Sequence, residues 1–326
     1  MEIPLKYQLT PEMLDLIAKI EVKKVLLENL QIDSGLINNL QRESLLKSSL
    51  FSAKIEGNKL KISNFSELRN IDPETRERIE VENIISAFTY IKNRTRNIDE
   101  EFIFNLHKII MTGLASELGF FRKEPSAIFN QSGFPVYIPP PPSEINGLIK
   151  KIIEYINTPS NENILIKASL AHISFEKIHP FIDGNGRVGR LLFQAVCLKG
   201  DYGFNSLISV EEILNEKKEE YYAYLDRSDA TSFIEFLLDA ILIQLQKTFT
   251  HVQNNKNTSE NMLLPRRREV LEIIRDHKIV SLNLLQRRFF KVPGRTIRYD
   301  LKKLEESGFI IKLGVTRGAM YAPKIK

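Results

Sequence analysis

The sequence predicts a mainly α fold, interrupted by one short β-hairpin and followed by a small module of helices and strands. Apolar residues recur at three- and four-residue spacings through most of the chain before that module, which is the pattern of amphipathic helices. A proline-rich segment at 126–142 and a basic segment at 262–326 depart from this pattern. These three observations place a helical core first and a mixed module last.

Length and composition narrow the class of protein. A chain of 326 residues and 37.6 kDa is longer than one compact core usually requires, so we expect two or three domains. Hydrophobic residues make up 43% and charged residues 27% of the chain, which excludes an intrinsically disordered protein. No apolar run approaches the ~18 residues of a membrane-spanning helix, and the first residues lack the pattern of a secretory signal. We therefore expect a cytoplasmic protein without a membrane partner.

The positive charge is concentrated at the C-terminal end. The net charge is +5, yet residues 262–326 contain 16 Lys and Arg against 6 Asp and Glu, which leaves the preceding residues net negative. The stretch before them is rich in Asn, Ser and Thr, which is typical of a linker. We predict an N-terminal helical region at 1–98, a central domain at 99–250, a linker at 251–261 and a basic domain at 262–326.

Seven amphipathic segments predict the helices of the first two regions. They cover 13–30, 36–55, 80–92, 100–114, 145–157, 162–178 and 186–199. The last of them contains the single cysteine, Cys197, among apolar residues, which is typical of a core thiol and excludes a disulfide within the chain. Between the fourth and fifth segments, aromatic and β-branched residues flank a Gln-Ser-Gly turn, and a run of prolines forbids a helix. We predict a hairpin flap at 126–142, with an ordinary surface hairpin as the alternative.

The most informative segment is HPFIDGNGRVGR at 179–190, a loop that opens a helix. Gly184 and Gly186 allow the backbone to approach a ligand closely. The first amides of the following helix have no intrahelical partner and lie at the positive end of the helix dipole. These features predict a site for a phosphate-bearing ligand.

Charged side chains in the same segment suit a nucleoside triphosphate with a metal ion. Arg187 and Arg190 share one helical face and can each donate forked hydrogen bonds to phosphate oxygens. Asp183 offers a hard oxygen ligand for Mg²⁺. His179, whose ordinary pKa is near neutrality, can accept a proton from an incoming hydroxyl group. His172 lies two helical turns earlier, roughly 10 Å away, so we interpret it as structural.

The segment resembles the signature HPFx[DE]GNGRxxR of the Fic family and agrees with it at every specified position. The resemblance implies a mostly helical Fic core that transfers AMP from ATP to a Ser, Thr or Tyr hydroxyl of a protein, releasing pyrophosphate. It also implies that His179 is the general base, that Phe181 anchors the loop in the core and that Asp183 holds Mg²⁺. It assigns ATP binding to Gly184, Asn185, Gly186, Arg187, Val188, Gly189 and Arg190.

A second motif lies far upstream, at SAKIEGN (52–58). It resembles the inhibitory motif [S/T]xxxE[G/N] that precedes the core in class II Fic proteins. The resemblance implies that a helix carrying Ser52, Glu56 and Gly57 packs over the active site. There Glu56 would pair with Arg190 in the place of the γ-phosphate. The alternative is a helix that merely ends at Gly57, with Glu56 in solvent.

The flap also has a counterpart in the family. It resembles the segment with which Fic enzymes bind a target backbone by strand addition. The resemblance assigns that contact to Phe134, Pro135, Val136 and Tyr137. A GxFR-type sequence precedes the flap and consists here of Gly119, Phe121 and Arg122.

A tyrosine pair follows the loop. Tyr221 and Tyr222 resemble the pair that lines the adenine pocket in Fic proteins, although either is equally compatible with a core position. Many relatives have Asn several residues later, where this chain has Ser228. That departure leaves the far side of the nucleotide pocket unassigned.

The basic segment predicts the element order of a winged helix-turn-helix domain. Helices are predicted at 267–277, 281–290 and 295–308, and strands at 309–313 and 319–323. The segment resembles DeoR-like modules, most closely at RTIRYDLKKLEESGFI. The resemblance implies DNA contacts by Arg295, Thr296, Arg298 and Tyr299, with Arg317 on the wing. A dimerisation or target-docking surface is the alternative.

The combined prediction is a protein adenylyltransferase that is autoinhibited by Glu56. Its substrate would be ATP and its cofactor Mg²⁺. Its partners would be a target protein with a hydroxyl side chain, which includes the chain itself, a second copy in a homodimer, and DNA. Two alternatives stay open. One is a Fic enzyme that removes AMP or transfers another phosphate-containing group, and the other is an ATP-sensing DNA-binding regulator.

Overall fold

The computed structural model describes residues 1–29, 34–94, 97–129, 135–255, 263–314 and 319–324. None of the helices in these ranges combines the length and the apolar composition of a membrane-spanning segment. The chain divides into two compact units, Met1–Leu30 with Glu43–Thr250 and Gln31–Arg42 with His251–Lys326.

The first unit is almost entirely helical, as the apolar periodicity predicts. In chain order the helices are α1 (Pro11–Glu28), α2 (Ser34–Ile55), α3 (Phe65–Asn70), α4 (Arg76–Arg94), α5 (Glu100–Met111), α6 (Pro142–Asn157), α7 (Ile164–Ile178), α8 (Asn185–Lys199), α9 (Val210–Glu216), α10 (Lys218–Leu225) and α11 (Thr231–Asn255). The first residues of α2 belong to the second unit. All seven predicted helices are present, whereas α3 and α9 to α11 are additions. Because α11 continues to Asn255, the predicted linker at 251–261 is helical in its first residues.

Helix α7 lies in the centre of the first unit. Nearly all its residues are buried, which is the pattern of a helix enclosed on all sides. It packs most extensively against α8, whose Cys197 is buried as predicted, and also against α6. Helices α4 and α5 pack against each other and against α8. The loop between α7 and α8 is therefore attached at both ends to the best-packed part of the unit.

A β-hairpin is present where the flap is predicted. Strands β1 (Ile128–Phe129) and β2 (Pro135–Tyr137) pair antiparallel, with Ile128 opposite Tyr137. The hydroxyl of Tyr137 donates to the carbonyl of Lys177 at 3.0 Å, which attaches the second strand to the end of α7. The predicted flap residue Phe134 lies outside the described residues, and only the backbone is described for Pro135 and Val136.

The second unit has the helix and strand order of a winged helix. It contains α12 (Pro265–His277), β3 (Val280–Ser281), α13 (Leu282–Arg288), α14 (Gly294–Glu306), β4 (Ile310–Leu313) and β5 (Met320–Pro323). The strands form an antiparallel sheet in the order β3-β5-β4. Strand β3 was not predicted, because two residues are too few to show a periodicity. The predicted wing residue Arg317 lies outside the described ranges.

A buried carboxylate joins two helices of the second unit. Asp300 on α14 is fully buried and accepts hydrogen bonds from Nε of Arg266 at 2.5 Å and Nε of Arg267 at 2.9 Å, both on α12. Arg267 also lies over the ring of Tyr299. Part of the positive charge of this unit is therefore neutralised internally.

Candidate active site

His179 is the residue that ends α7. It adopts a left-handed conformation with φ 49°, and its N–H donates to the carbonyl of Phe175 at 3.0 Å. Its own carbonyl accepts a hydrogen bond from Nε of Arg122 at 2.8 Å, so the GxFR-type sequence fixes the position of the histidine backbone. Burial lowers the pKa of His179 below its usual 6.5, and the charge of Arg122 lowers it further. The imidazole is therefore neutral at pH 7 and able to accept a proton.

The loop after His179 is held by its own side chains. Oδ1 of Asn185 accepts from the N–H of Phe181, and Nδ2 donates to the carbonyl of Phe181, both at 2.8 Å. Phe181 is fully buried and stacks on His107 with ring centroids 3.8 Å apart. Nδ1 of His107 accepts from the N–H of Gly119, so Nε2 carries the proton and donates to the carbonyl of Asp183 at 3.1 Å. The loop is thereby ordered before any ligand arrives.

The start of α8 has backbone N–H groups without a partner inside the helix. The first intrahelical hydrogen bond runs from Val188 N to Gly184 O at 3.0 Å, so the N–H groups of residues 185–187 precede the helical ladder. Gly184 has φ 82°, a left-handed conformation that favours glycine, and a Cβ there would lie 2.9 Å from Sδ of Met111. A helix end of this kind binds anions.

The carboxylate of Glu56, the residue that follows α2, lies at this anion site. Nη2 of Arg190 donates to Oε1 of Glu56 at 2.8 Å and to the carbonyl of Ser52 at 2.9 Å, and Nε donates to Oγ of Ser52 at 3.0 Å. A Cβ at Gly186 would collide with Oε1 of Glu56, which locates the carboxylate directly against the start of α8. The structure thus brings together the two motifs, and Glu56 is engaged rather than free in solvent.

Arg190 is a buried cation whose state depends on its neighbours. Burial alone would lower its pKa, but the negative charge of Glu56 raises the pKa well above its usual value. Nη1 of Arg190 is buried and has no hydrogen-bond partner among the residues that the structure describes.

Two further titratable residues, Glu176 and His172, lie near Arg190. Glu176 was not predicted as a site residue, and His172 was interpreted as structural. Burial raises the pKa of Glu176 to about 8, and Oε1 of this side chain finds no hydrogen bond within the described part of the chain. A Cβ at Gly189 would collide with Glu176, so the glycine makes room for it. His172 is fully buried, and Nε2 lies 2.9 Å from the hydroxyl of Tyr221. Burial lowers the pKa of His172 to about 3, which agrees with a structural role.

The structure separates the members of the predicted ATP-binding set. Tyr221 is 1% exposed, so it offers no ring face on which an adenine could stack. Tyr222 is 43% exposed, and its hydroxyl donates to the carbonyl of Ile55 at 3.3 Å, so this tyrosine alone of the pair stays accessible. Val188 is fully buried and its N–H is used within α8. The side chains of Tyr221 and Val188 therefore belong to the core rather than to the ligand surface.

Asp183 fits a Mg²⁺ ion that is held mainly by other ligands. Its Oδ1 accepts from the N–H of Gly184 at 2.6 Å and from Nη2 of Arg187 at 3.1 Å, while the side chain as a whole stays 56% exposed. Within the described ranges no group of three or more His, Cys, Asp or Glu could form a complete protein cage for a metal. One carboxylate completed by phosphate oxygens and water is the usual mode for Mg²⁺.

In the second unit, the predicted DNA-contacting residues share a surface of α14. Arg295, Arg298 and Tyr299 are exposed, Thr296 is half-buried, and the opposite face of the helix is buried in the domain core. The division of the helix into an exposed face and a buried face follows from the 3.6-residue helical period.

Comparison with known proteins identifies two regions of the chain. Residues 97–197 match the Fic/DOC family, and residues 266–317 match the DeoR-like helix-turn-helix domain. A probable protein adenylyltransferase of Aquifex aeolicus is 28% identical over 137 residues, 42% of this chain and 39% of that protein. The protein adenylyltransferase Fic of Drosophila willistoni is 24% identical over 241 residues, 68% of this chain and 45% of that protein. The chain thus spans less than half the length of these curated relatives.

Solved structures share the fold. A Fic family protein from Desulfovibrio desulfuricans superimposes with a TM-score of 0.69 at 23% identity, covering 100% of this chain and 99% of that one. Fic-1 from C. elegans gives a TM-score of 0.62 at 19% identity, covering 74% of this chain and 73% of that one. The chain therefore combines a Fic/DOC family domain with a C-terminal DeoR-like helix-turn-helix domain.

Proposed function

We propose that this protein transfers AMP from ATP to a hydroxyl group of a protein and that Glu56 inhibits the transfer. The observation that carries the proposal is the placement of a neutral His179 one loop away from a helix start whose N–H groups and Arg190 suit phosphates. The curated relatives are named as a probable protein adenylyltransferase and a protein adenylyltransferase, which supports the same reaction.

The reaction uses these groups in turn. The triphosphate would bind at the start of α8, with Arg187 and Arg190 as charged donors. His179 would take the proton of the target hydroxyl as its oxygen attacks the α-phosphorus. The bond from the α-phosphorus to the oxygen bridging to the β-phosphate then breaks, and pyrophosphate leaves. Mg²⁺ at Asp183 would neutralise phosphate charge.

Inhibition follows from competition for one cation. Arg190 cannot donate the same Nη2 hydrogen to Glu56 and to a phosphate oxygen, and the Glu56 carboxylate lies against Gly186, where an anion would approach. Two anions at one site also repel each other. The γ-phosphate would therefore bind only after Glu56 has moved away.

The test compares wild type, Glu56→Gly and Glu56→Gly/His179→Ala with Mg²⁺ and α-labelled ATP, read by gel and intact mass. The Glu56→Gly chain should label itself or a supplied protein about tenfold or more above wild type, because a hydrogen bond between charged groups is removed. The added His179→Ala should reduce labelling by about a hundredfold or more. Labelling that survives the loss of His179 would contradict the proposal, as would an added mass other than AMP.

DNA binding is proposed as a second activity. It is favoured by the DeoR-like match and by the exposed Arg295 and Arg298 on α14. Replacement of either one by Ala should weaken binding to duplex DNA and reduce its salt dependence. Lys302→Ala is the matched control, since Lys302 is an exposed cation on the same helix that pairs with Glu306. Equal losses in both proteins would leave only a general effect of positive charge.

A further inference from the structure

The carboxylate of Glu80 lies near Arg187, the other arginine of the predicted phosphate site besides Arg190. Glu80 on α4 has its side chain 13% exposed, and Oε1 lies 4.0 Å from Nη1 of Arg187. The same oxygen lies 3.3 Å from Nε of Arg76. Oε2 accepts a hydrogen bond from Nδ2 of Asn58 at 2.8 Å. Glu80 is therefore a largely buried anion held between α8 and the residues after α2.

Asn58 fixes this carboxylate in place. Its Nδ2 also donates to the carbonyl of Glu77 at 2.9 Å, and its Oδ1 accepts from the N–H of Leu60 at 3.0 Å. Its own N–H closes the end of α2 by donating to the carbonyl of Ala53 at 3.1 Å. The side-chain amide thus joins the residues that follow α2, which include Glu56, to the first turns of α4.

Arg187 depends on such a neighbour because it is a nearly buried cation. Its side chain is 4% exposed, and Nη2 donates to Asp183 at 3.1 Å. Nε and Nη1 are buried without a hydrogen-bond partner in the described part of the chain. A buried charge is stable only when an opposite charge compensates it. The Asp183 side chain is 56% exposed, whereas that of Glu80 is 13% exposed and has each oxygen within reach of a neighbouring side chain, Asn58 or Arg76.

We propose that Glu80 is a positioning residue that holds Arg187 ready for a nucleotide phosphate, and that Asn58 orients Glu80. The proposal rests on the proposed function, since it takes the start of α8 as the phosphate site. Asp183 is also the expected contact for the metal that accompanies ATP. Glu80 is therefore the anion that stays next to Arg187 both before and after the nucleotide binds. Its distance of 4.0 Å leaves Nη1 free to donate to phosphate while its charge keeps the guanidinium in place.

The test uses the Glu56→Gly chain, in which Arg190 is open to ATP. Glu80→Gln keeps the shape and the hydrogen bond from Asn58 but removes the charge. We expect the Kd and the KM for ATP to rise about fivefold, with kcat changed less than about twofold, because ground-state phosphate binding is weakened. Asn58→Ala should raise Kd by about twofold, and the double variant should add nothing to Glu80→Gln, because the two act as a unit.

Glu82→Gln is the matched control. Glu82 lies on the same helix, pairs with Arg78 at 2.9 Å and is 44% exposed, and its loss should leave the Kd for ATP unchanged. Melting temperatures of all variants show that the chain stays folded. If Glu80→Gln bound ATP with the same Kd as Glu82→Gln, or more tightly, the role of Glu80 would be overturned while the proposed function would stand. Failure of the Glu56→Gly parent to bind ATP would overturn the proposed function and the inference with it.

Discussion

The two units each contain a buried arginine–carboxylate contact, but the buried partner differs. In the first unit the cation is buried: Arg190 is 2% exposed, and Glu56 keeps 32% of its side chain exposed. In the second unit the anion is buried: Asp300 is fully enclosed, and Arg266 and Arg267 are 36% and 18% exposed. A buried cation with an exposed partner can exchange that partner for another anion. A buried anion bonded to two cations from its own chain is not accessible to a ligand that could replace either partner.

The largest expected effect breaks the contact of the second unit. Asp300→Asn should lower the free energy of unfolding of that unit by about 3 kcal/mol, because the buried side chain loses a charge-assisted hydrogen bond and places an amide donor against an arginine donor. Urea denaturation followed by tryptic cleavage of the C-terminal region measures this effect. AMP transfer by the Glu56→Gly chain should be unchanged by Asp300→Asn, and a loss of transfer would contradict the separation of the two contacts.

A smaller effect is expected at the contact of the first unit. Glu56→Gln should cost about 1 kcal/mol of unfolding free energy, the usual value for a partly exposed charged hydrogen bond. Ser52 still accepts from Arg190, and the neighbouring Glu176 can ionise to compensate its charge. Transfer should increase although stability falls. If stability fell as far as in Asp300→Asn, Glu56 would be a structural rather than an exchangeable partner.

The smallest expected effect is a shift in pH dependence. His179 must be neutral to accept a proton, and burial lowers its pKa below 6.5. Transfer by the Glu56→Gly chain should therefore be constant through neutrality and fall as the pH decreases, with a midpoint below 6.5. The initial rate of transfer between pH 4.5 and 8 measures it. A midpoint above 6.5 would show that His179 is stabilised in its charged form.

The sequence was sufficient for the parts of the molecule that depend on local pattern. The apolar period predicted seven helices of the first unit, although not the 25-residue α11, and the motif at 179–190 identified the loop and the start of α8. The motif at 52–58 predicted the pairing of Glu56 with Arg190, which the structure contains. Short elements such as α3 and β3 were not predicted, because they contain too few residues to show a period.

Residues that act through tertiary contacts were harder to find. His107 supports the loop from α5, and Glu176 approaches Arg190 across Gly189. Glu80 reaches Arg187 from another helix. Each lies on a helix whose pattern indicates only packing, so no spacing in the sequence links it to the loop. Tyr221 is the opposite case: the sequence resemblance assigns it to the nucleotide pocket, whereas the structure buries its side chain.

The central claim is that the Glu56 carboxylate stands where a phosphate of ATP would bind. Titration calorimetry of wild type and Glu56→Gly with ATP and with AMP, on chains that also carry His179→Ala to prevent turnover, tests it most directly. Removal of Glu56 should tighten ATP binding about tenfold or more and leave AMP binding nearly unchanged, because AMP lacks the terminal phosphates. Equal gains for ATP and AMP, or no gain for ATP, would contradict the account.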